Sequence, residues 1–224
     1  MRRKPAAAIP VAVLAFVAAC LSGDGADAQG KPQELVARLE GPALVAAVKQ
    51  GGTVILMRHT ATERRADETI KFRLEDCATQ RNLSEEGRRE AEEIGRAFER
   101  LGIRISEVQT SPYCRTLETG RLAFGKATPT EVLSVGDSLA MDGKLERAAE
   151  VRRLLDTAPP AGTNAVLITH TGNLLYAFGL DSRPEGVAHV FRPTGTGRAS
   201  YLGRLDPSQW RALSGTDVGA GPAK

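Results

Sequence analysis

Apolar and polar positions along the chain switch between two rhythms. Residues 53–57 form a near-continuous apolar run between Gly51-Gly52 and the charged Arg58, the pattern of a central strand buried on both faces. Residues 165–169 repeat it and stop at His170, and 103–110 read as a third strand. Elsewhere the period lengthens to that of a helix. Ser84 is a good N-cap, and Glu85 and Glu86 suit the positive end of a helix dipole. Ala91, Ile94, Ala97, Phe98 and Leu101 then share one face until Gly102 stops the helix. Further helices are expected at 115–124, 144–157 and 173–178, with a short helix pair at 32–50 broken at Gly41-Pro42. A strand is expected at 130–135, and a β-hairpin from 187–192 and 198–205 around Thr194-Gly195-Thr196-Gly197. Strands alternating with helices predict a layered α/β fold around a mostly parallel sheet.

Three segments break these rhythms. At the N-terminus Arg2-Arg3-Lys4 precedes an apolar run over 6–21, the form of an export signal. Ala26-Asp27-Ala28 suits cleavage by ordinary signal peptidase, and Val17-Ala18-Ala19-Cys20 suits a bacterial lipoprotein box that would lipidate Cys20. An uncleaved anchor is the third reading, disfavoured because the run is short against the ~20 residues of a spanning helix. Residues 1–28 are therefore set aside as a signal peptide, 29–210 as one folded domain and 211–224 as a disordered tail. The polar stretch 61–82 is longer than an ordinary connection, which marks a functional loop or lid.

Bulk properties narrow the partners. A net charge of +3, with basic residues scattered among acidic ones, gives no footprint for nucleic acid. Contact with a membrane is expected only if Cys20 is lipidated. Export to an oxidising periplasmic or secreted location makes a Cys77–Cys114 disulfide the expectation, with two unpaired buried thiols as the alternative. Neither cysteine has histidine or carboxylate neighbours at metal-ligand spacing, so no metal and no cofactor is expected.

The candidate chemistry sits where strands end. Arg58-His59 follows the first strand, His170 follows the late one, and Ser111-Pro112-Tyr113-Cys114-Arg115 leaves the strand at 107–110 for a helix. In a parallel α/β sheet the crevice beyond strand carboxyl ends binds ligands, so these cationic groups can meet there although distant in sequence. Guanidinium forks match phosphate oxygens and remain charged, which points to a phosphate site. Backbone amides at Thr171 and Gly172 would add donors at a helix start. Two arginines beside His59 would keep its imidazole neutral near pH 7. His189, inside the predicted hairpin, reads as a strand residue without a chemical role.

These segments resemble the boxes of the histidine phosphatase superfamily, in order along the chain: Arg58-His59-Thr60, then Leu83-Ser84-Glu85-Glu86-Gly87, then Ser111-Pro112 with Arg115, then Thr169-His170. The resemblance implies a three-layer αβα sandwich of the phosphoglycerate mutase-like kind. It implies a metal-independent phosphomonoesterase in which His59 is the nucleophile and forms a phosphohistidine. Arg58, Arg115, His170 and Thr62 would bind the phosphoryl group, with a hydroxyl from Thr60 as well. Family members draw the general acid from a loop after the Arg115 helix. Asp137 is the first choice there and Asp142 the second, with Glu131 and Glu185 as further candidates. Thr60 in place of the usual glycine, Ala61 in place of an acidic residue and Arg64-Arg65 in place of Trp-Asn weigh against a mutase.

The expected partner is a small phosphorylated substrate or a phosphorylated envelope component. Two other readings stay open: a non-catalytic phosphate-binding protein, and a phosphohistidine protein phosphatase, against which the export signal counts. Arg64, Arg65, Lys71 and Arg73 are either a steering field for anions or a solvated mixed-charge loop, since Glu63, Asp67, Glu68, Glu75 and Asp76 interleave with them. The run 76–81 is unusual enough to suggest a role in ordering that loop.

Overall fold

A computed structural model describes residues 35–63, 71–134 and 140–215. The signal segment 1–28, Arg64, Arg65, Asp67, Glu68 and Asp137 lie outside the described residues. All described residues belong to a single unit, Pro32–Lys224. Its sheet contains six described strands: β1 (Val54–Arg58), β2 (Ile105–Thr110), β3 (Thr128–Pro129), β4 (Asn164–Thr169), β5 (Ala188–Arg192) and β6 (Ser200–Leu205). Their order is β3-β2-β4-β1-β5-β6, parallel across the first four and antiparallel at β5 and β6.

Strand alternation divides the core into two layers. Ile55 and Met57 of β1 pack with Leu44 and Val48 of α1 (Gly41–Gln50) and with Ile94 and Phe98 of α2 (Glu85–Leu101). Val54 and Leu56 face the other way, toward Val151 and Leu155 of α4 (Met141–Leu155) and Leu174 of α5 (Thr171–Phe178). With α3 (Cys114–Phe124) packed on α2 through the Phe98–Phe124 contact, this is the expected three-layer sandwich. No described helix is long and apolar enough to cross a membrane.

Several boundaries differ from the sequence reading, each for a local reason. Only the second half of the expected helix pair forms. Residues 35–40 are not helical, the amides of Arg38 and Leu39 donate to the Leu202 carbonyl on β6, and Pro42 opens α1. The strand expected at 130–135 is instead the short β3 followed by a 3₁₀ turn at Glu131–Leu133 that buries Leu133. Among the described residues β3 pairs at two positions only, and Val132 and Leu133 belong to the turn that follows. Regular structure does not end at Trp210, because α6 (Pro207–Leu213) runs on under an Asp206–Gln209 capping box, and residues 216–224 of the expected tail lie outside the described residues. Trp210 is fully buried against Phe98, and that packing holds the helix three residues past the expected end of the domain.

Candidate active site

Sheet register brings the boxes together. Arg58 is paired with Thr169 across the parallel β1/β4 ladder, so His59 and His170 leave adjacent strands at the same end. The His59 amide donates to the Thr169 carbonyl and the Ser111 amide to the Ile168 carbonyl, which aligns the third exit beside them. Gly87 lets α2 close over the first box: a Cβ there would stand 1.8 Å from the Ala61 carbonyl oxygen. A side chain of any size at this position would push the helix off the segment that carries His59.

Arg58, His59, Arg115 and His170 meet in one cleft of about 240 Å³, together with Arg81 and the start of α5 at Thr171, Gly172, Leu175 and Tyr176. His59 and His170 are both 4% exposed, with ring centroids 5.4 Å apart. Nδ1 of His59 lies 2.9 Å from the Thr60 carbonyl oxygen. A carbonyl only accepts, so Nδ1 carries the proton and Nε2 keeps its lone pair. Among the described residues Nε2 has no hydrogen-bond partner. Burial, then the Arg115 charge, hold the His59 pKa well below 6.5, opposed by the Thr60 carbonyl.

His170 is placed differently from the sequence expectation of a free phosphate donor. Its Nδ1 accepts from Arg115 Nη2 at 3.0 Å and its Nε2 meets Ser111 Oγ at 2.8 Å. Because a guanidinium only donates, the ring is neutral with its proton on Nε2, and it holds Arg115 in place. Burial and then Arg115 keep its pKa well below 6.5. Arg115 lies over the Tyr113 ring at 4.8 Å and is itself brought down to about 10, first by burial and then by Arg81.

Arg81 completes the cationic wall, and the Glu185 carboxylate ties it to Arg58. Glu185 Oε1 accepts from Arg58 at 2.7 Å and from Arg81 at 2.9 Å. Its Oε2 accepts from the Thr62 amide at 2.9 Å. Thr62 therefore does not line the cleft: its hydroxyl donates to Glu185 and accepts from Arg81 Nε at 2.8 Å. Thr60 is also turned away, its hydroxyl 3.2 Å from that of Thr119. Both threonines serve the geometry of the first box instead of offering hydroxyls to a ligand. Arg58 is lowered by burial, with Glu185 opposing that shift.

The other acid candidates are elsewhere. Asp142 is exposed in the first turn of α4. Glu131 is exposed too and accepts from the Ser134 hydroxyl at 2.8 Å. In the first long loop Arg73 pairs with Asp76, and its side chain and Lys71 are exposed. His189 sits on β5 with Nδ1 3.1 Å from the Tyr201 hydroxyl and Nε2 3.0 Å from the Asp181 carbonyl, away from the cleft. Among the described residues no group of three or more histidines, cysteines or carboxylates is arranged to hold a metal.

Residues 71–82 are fastened to the turn that carries Arg115. Cys77 and Cys114 form a disulfide, as expected. The buried Gln80 accepts from the Cys114 amide at 3.0 Å and donates to the Leu74 carbonyl at 2.8 Å. Phe72 stacks on Tyr113 with centroids 5.2 Å apart. Closing a loop with a sequence separation of 37 stabilises by roughly 3–4 kcal/mol when unstrained.

Sequence reasoning missed two residues here. Arg81 was readable only as part of the 76–81 run, yet it lies just before Leu83, which bridges Thr62 next to the first box. Glu90 falls at helical spacing with Gly87, Ala91 and Ile94, an acid within the apolar stripe of α2. Its Oε2 accepts from the Ala61 amide at 3.1 Å, and burial pushes its pKa up to about 7 against that hydrogen bond.

Residues 54–135 match the family model of the histidine phosphatase superfamily (branch 1). The fold is similar to that of the protein histidine phosphatase SixA complexed with tungstate, at 15% identity and a TM-score of 0.51, over 70% of this chain and 97% of that one. Similarity extends to a phosphoserine phosphatase from Entamoeba histolytica in complex with 3-phosphoglyceric acid, at 14% identity and a TM-score of 0.47, over 70% and 98% of the two chains. The ecdysone phosphate phosphatase from Bombix mori, complexed with tungstate, is similar at 13% identity and a TM-score of 0.49, over 69% and 92%. No curated protein matches the sequence.

Proposed function

We propose that the chain, whose residues 54–135 match the histidine phosphatase superfamily model, is a phosphoric monoester hydrolase acting through a phosphohistidine at His59. One observation carries the reading. The Thr60 carbonyl fixes the proton of His59 on Nδ1, which leaves the Nε2 lone pair in a cleft walled by three guanidiniums. A buried, neutral imidazole is a competent nucleophile at neutral pH, and the surrounding cations attract the phosphate it attacks.

The Nε2 lone pair forms a bond to phosphorus as the bond from phosphorus to the ester oxygen breaks. That oxygen leaves with a proton from a general acid. Water then attacks the phosphohistidine and returns a proton to the deprotonated acid, the P–N bond breaks, the Nε2 lone pair is restored and inorganic phosphate is released. Arg58 and Arg115 carry the charge on the transferring oxygens, so the reading requires no metal. His170 keeps Arg115 aimed, and the α5 amides at Thr171 and Gly172 supply donors at the positive end of the helix. Glu185 accepts in every contact it makes, which suits holding arginines better than delivering a proton. Asp137, the first choice from the sequence, is the proton donor this reading proposes.

The Cys77–Cys114 disulfide and the basic-apolar leader support action outside the cytoplasm, on small phosphate esters or phosphorylated envelope components. The test is hydrolysis of p-nitrophenyl phosphate in chelator, with quenching in alkaline detergent to look for a phosphoprotein that is stable to base and labile to acid. The parent should turn over and trap phosphate. His59→Ala should do neither, with a loss of about 10⁴-fold or more. Turnover surviving in the mutant, or lost on chelation alone, would sink the mechanism. Tight phosphate binding without turnover would make the protein an anion binder.

A further inference from the structure

The cleft is lined by guanidiniums and by two exposed apolar side chains. Among the described residues three guanidiniums, Arg58, Arg81 and Arg115, meet one carboxylate, Glu185, which leaves two net positive charges. A phosphate monoester dianion already balances that charge. No cation among the described lining residues is left over for a second anionic group on the substrate.

The helix that begins at His170 joins the two zones. Thr171 and Gly172 lie at its amino end beside the arginines, and Leu175 and Tyr176 follow one turn later on the same cleft wall. Leu175 is 52% exposed and Tyr176 39%, although both are large apolar side chains. Tyr176 also meets a cation. Lys144 of α4 lies over its ring at 4.8 Å and meets its hydroxyl at 3.5 Å. Leu175 and Tyr176 thus line the same cleft as the arginines and α5 amides that would seat a phosphoryl group.

We propose that Leu175 and Tyr176 form a leaving-group subsite that selects phosphomonoesters of apolar, aromatic or long alkyl alcohols over those of sugars, glycerol or hydroxy acids. The proposal rests on the phosphatase reading for its chemistry, yet binding can test it without turnover. Contact with exposed apolar side chains that are already ordered gives affinity from the area removed from water, without ordering a loop.

The experiment is calorimetric titration of the full protein with methylphosphonate and 1-naphthylmethylphosphonate, whose C–P bonds survive the enzyme. Leu175→Ser and Tyr176→Ser are titrated beside it, with melting curves to establish that each is folded. The parent should bind the naphthyl compound about tenfold more tightly than the methyl one. Each substitution should shrink that ratio, to within about twofold when both are combined. Equal affinities in the parent, a ratio untouched by both substitutions, or no binding of either phosphonate would overturn the subsite. Hydrolysis of naphthyl and glycerol phosphates is measured in parallel. A binding preference without hydrolysis of either ester would keep the subsite and defeat the phosphatase reading. Hydrolysis without a binding preference would do the reverse.

Discussion

His170 and His189 occupy opposite halves of one sheet, the parallel and the antiparallel, and both are buried, at 4% and 1% exposure. Burial lowers the pKa of each. Their partners differ. His189 lies within β5 opposite Leu56, and the Tyr201 hydroxyl and Asp181 carbonyl occupy both of its nitrogens. His170 lies past the end of β4, where one nitrogen accepts from a cation at the cleft. Desolvation alone therefore does not distinguish a chemical histidine from a structural one. Strand direction does: a residue one step beyond a parallel strand reaches the crevice, and a residue inside an antiparallel strand remains in the wall.

Exchanging the two losses is the strongest way to break that contrast. His170→Ala removes the acceptor that aims Arg115, so kcat/KM of the folded protein should fall about 10³-fold, roughly 4 kcal/mol of transition-state stabilisation. His189→Ala leaves the buried Tyr201 hydroxyl and the Asp181 carbonyl without their partner. It should cost about 2–4 kcal/mol of stability while the folded fraction keeps its activity within about twofold. Denaturant unfolding and steady-state kinetics on both variants decide. A His189 variant that is stable but inactive would mean that the antiparallel half takes part in the chemistry.

The same contrast explains how much could be read from the chain. The continuous apolar runs before Arg58 and His170 marked buried parallel strands, and their ends located the crevice without any structure. The Cys77–Cys114 bridge followed from cysteine arithmetic and the export signal. Harder to read were residues whose importance depends on tertiary neighbours. Arg81 and Glu185 are 104 positions apart and become a pair only when the segment before α2 crosses the one before β5. Glu90 gave a local signal, a carboxylate on an apolar stripe, but its partner is a backbone amide that no side-chain pattern reveals. The Thr62 and Thr60 hydroxyls pointed the wrong way because sequence gives proximity to the first box and not orientation.

The pH dependence of stability sharpens the comparison next. His189 has its pKa lowered to about 4, first by burial. Above pH 6.5 the ring is neutral in both the folded and unfolded states, and its contribution is fully present. As pH falls toward 4 the unfolded chain takes up a proton that the folded state refuses, and that contribution is lost, about 3 kcal/mol in total. His59 and His170 act in the same direction. Glu90 acts oppositely: raised to about 7, it favours the fold below pH ~4.5, and that stabilisation is lost as pH rises through 7. Unfolding free energies at pH 7.5 and 4 should therefore differ by about 3 kcal/mol less in His189→Asn than in the parent. Identical differences in the two proteins would show that His189 is not a buried neutral ring.

The smallest expected effect concerns how the parallel half is tuned. Arg81 is 41% exposed at the side chain and shares Glu185 with Arg58, which is 15% exposed. Solvent screens Arg81 more, so its loss should matter less than that of the buried Arg115. Arg81→Gln should lower kcat/KM about tenfold, mainly through KM, with the effect shrinking as salt is added. Glu185→Gln should act in the opposite sense on ground-state binding, tightening inorganic phosphate a few-fold, because Arg58 and Arg81 no longer face a competing carboxylate. The double variant tests whether the residues form one unit. If Glu185 works only by holding Arg81, removing it from the Arg81→Gln background should leave phosphate affinity unchanged. If it also restrains Arg58, the tightening should persist, and the first-box arginine is the one that phosphate must win from Glu185.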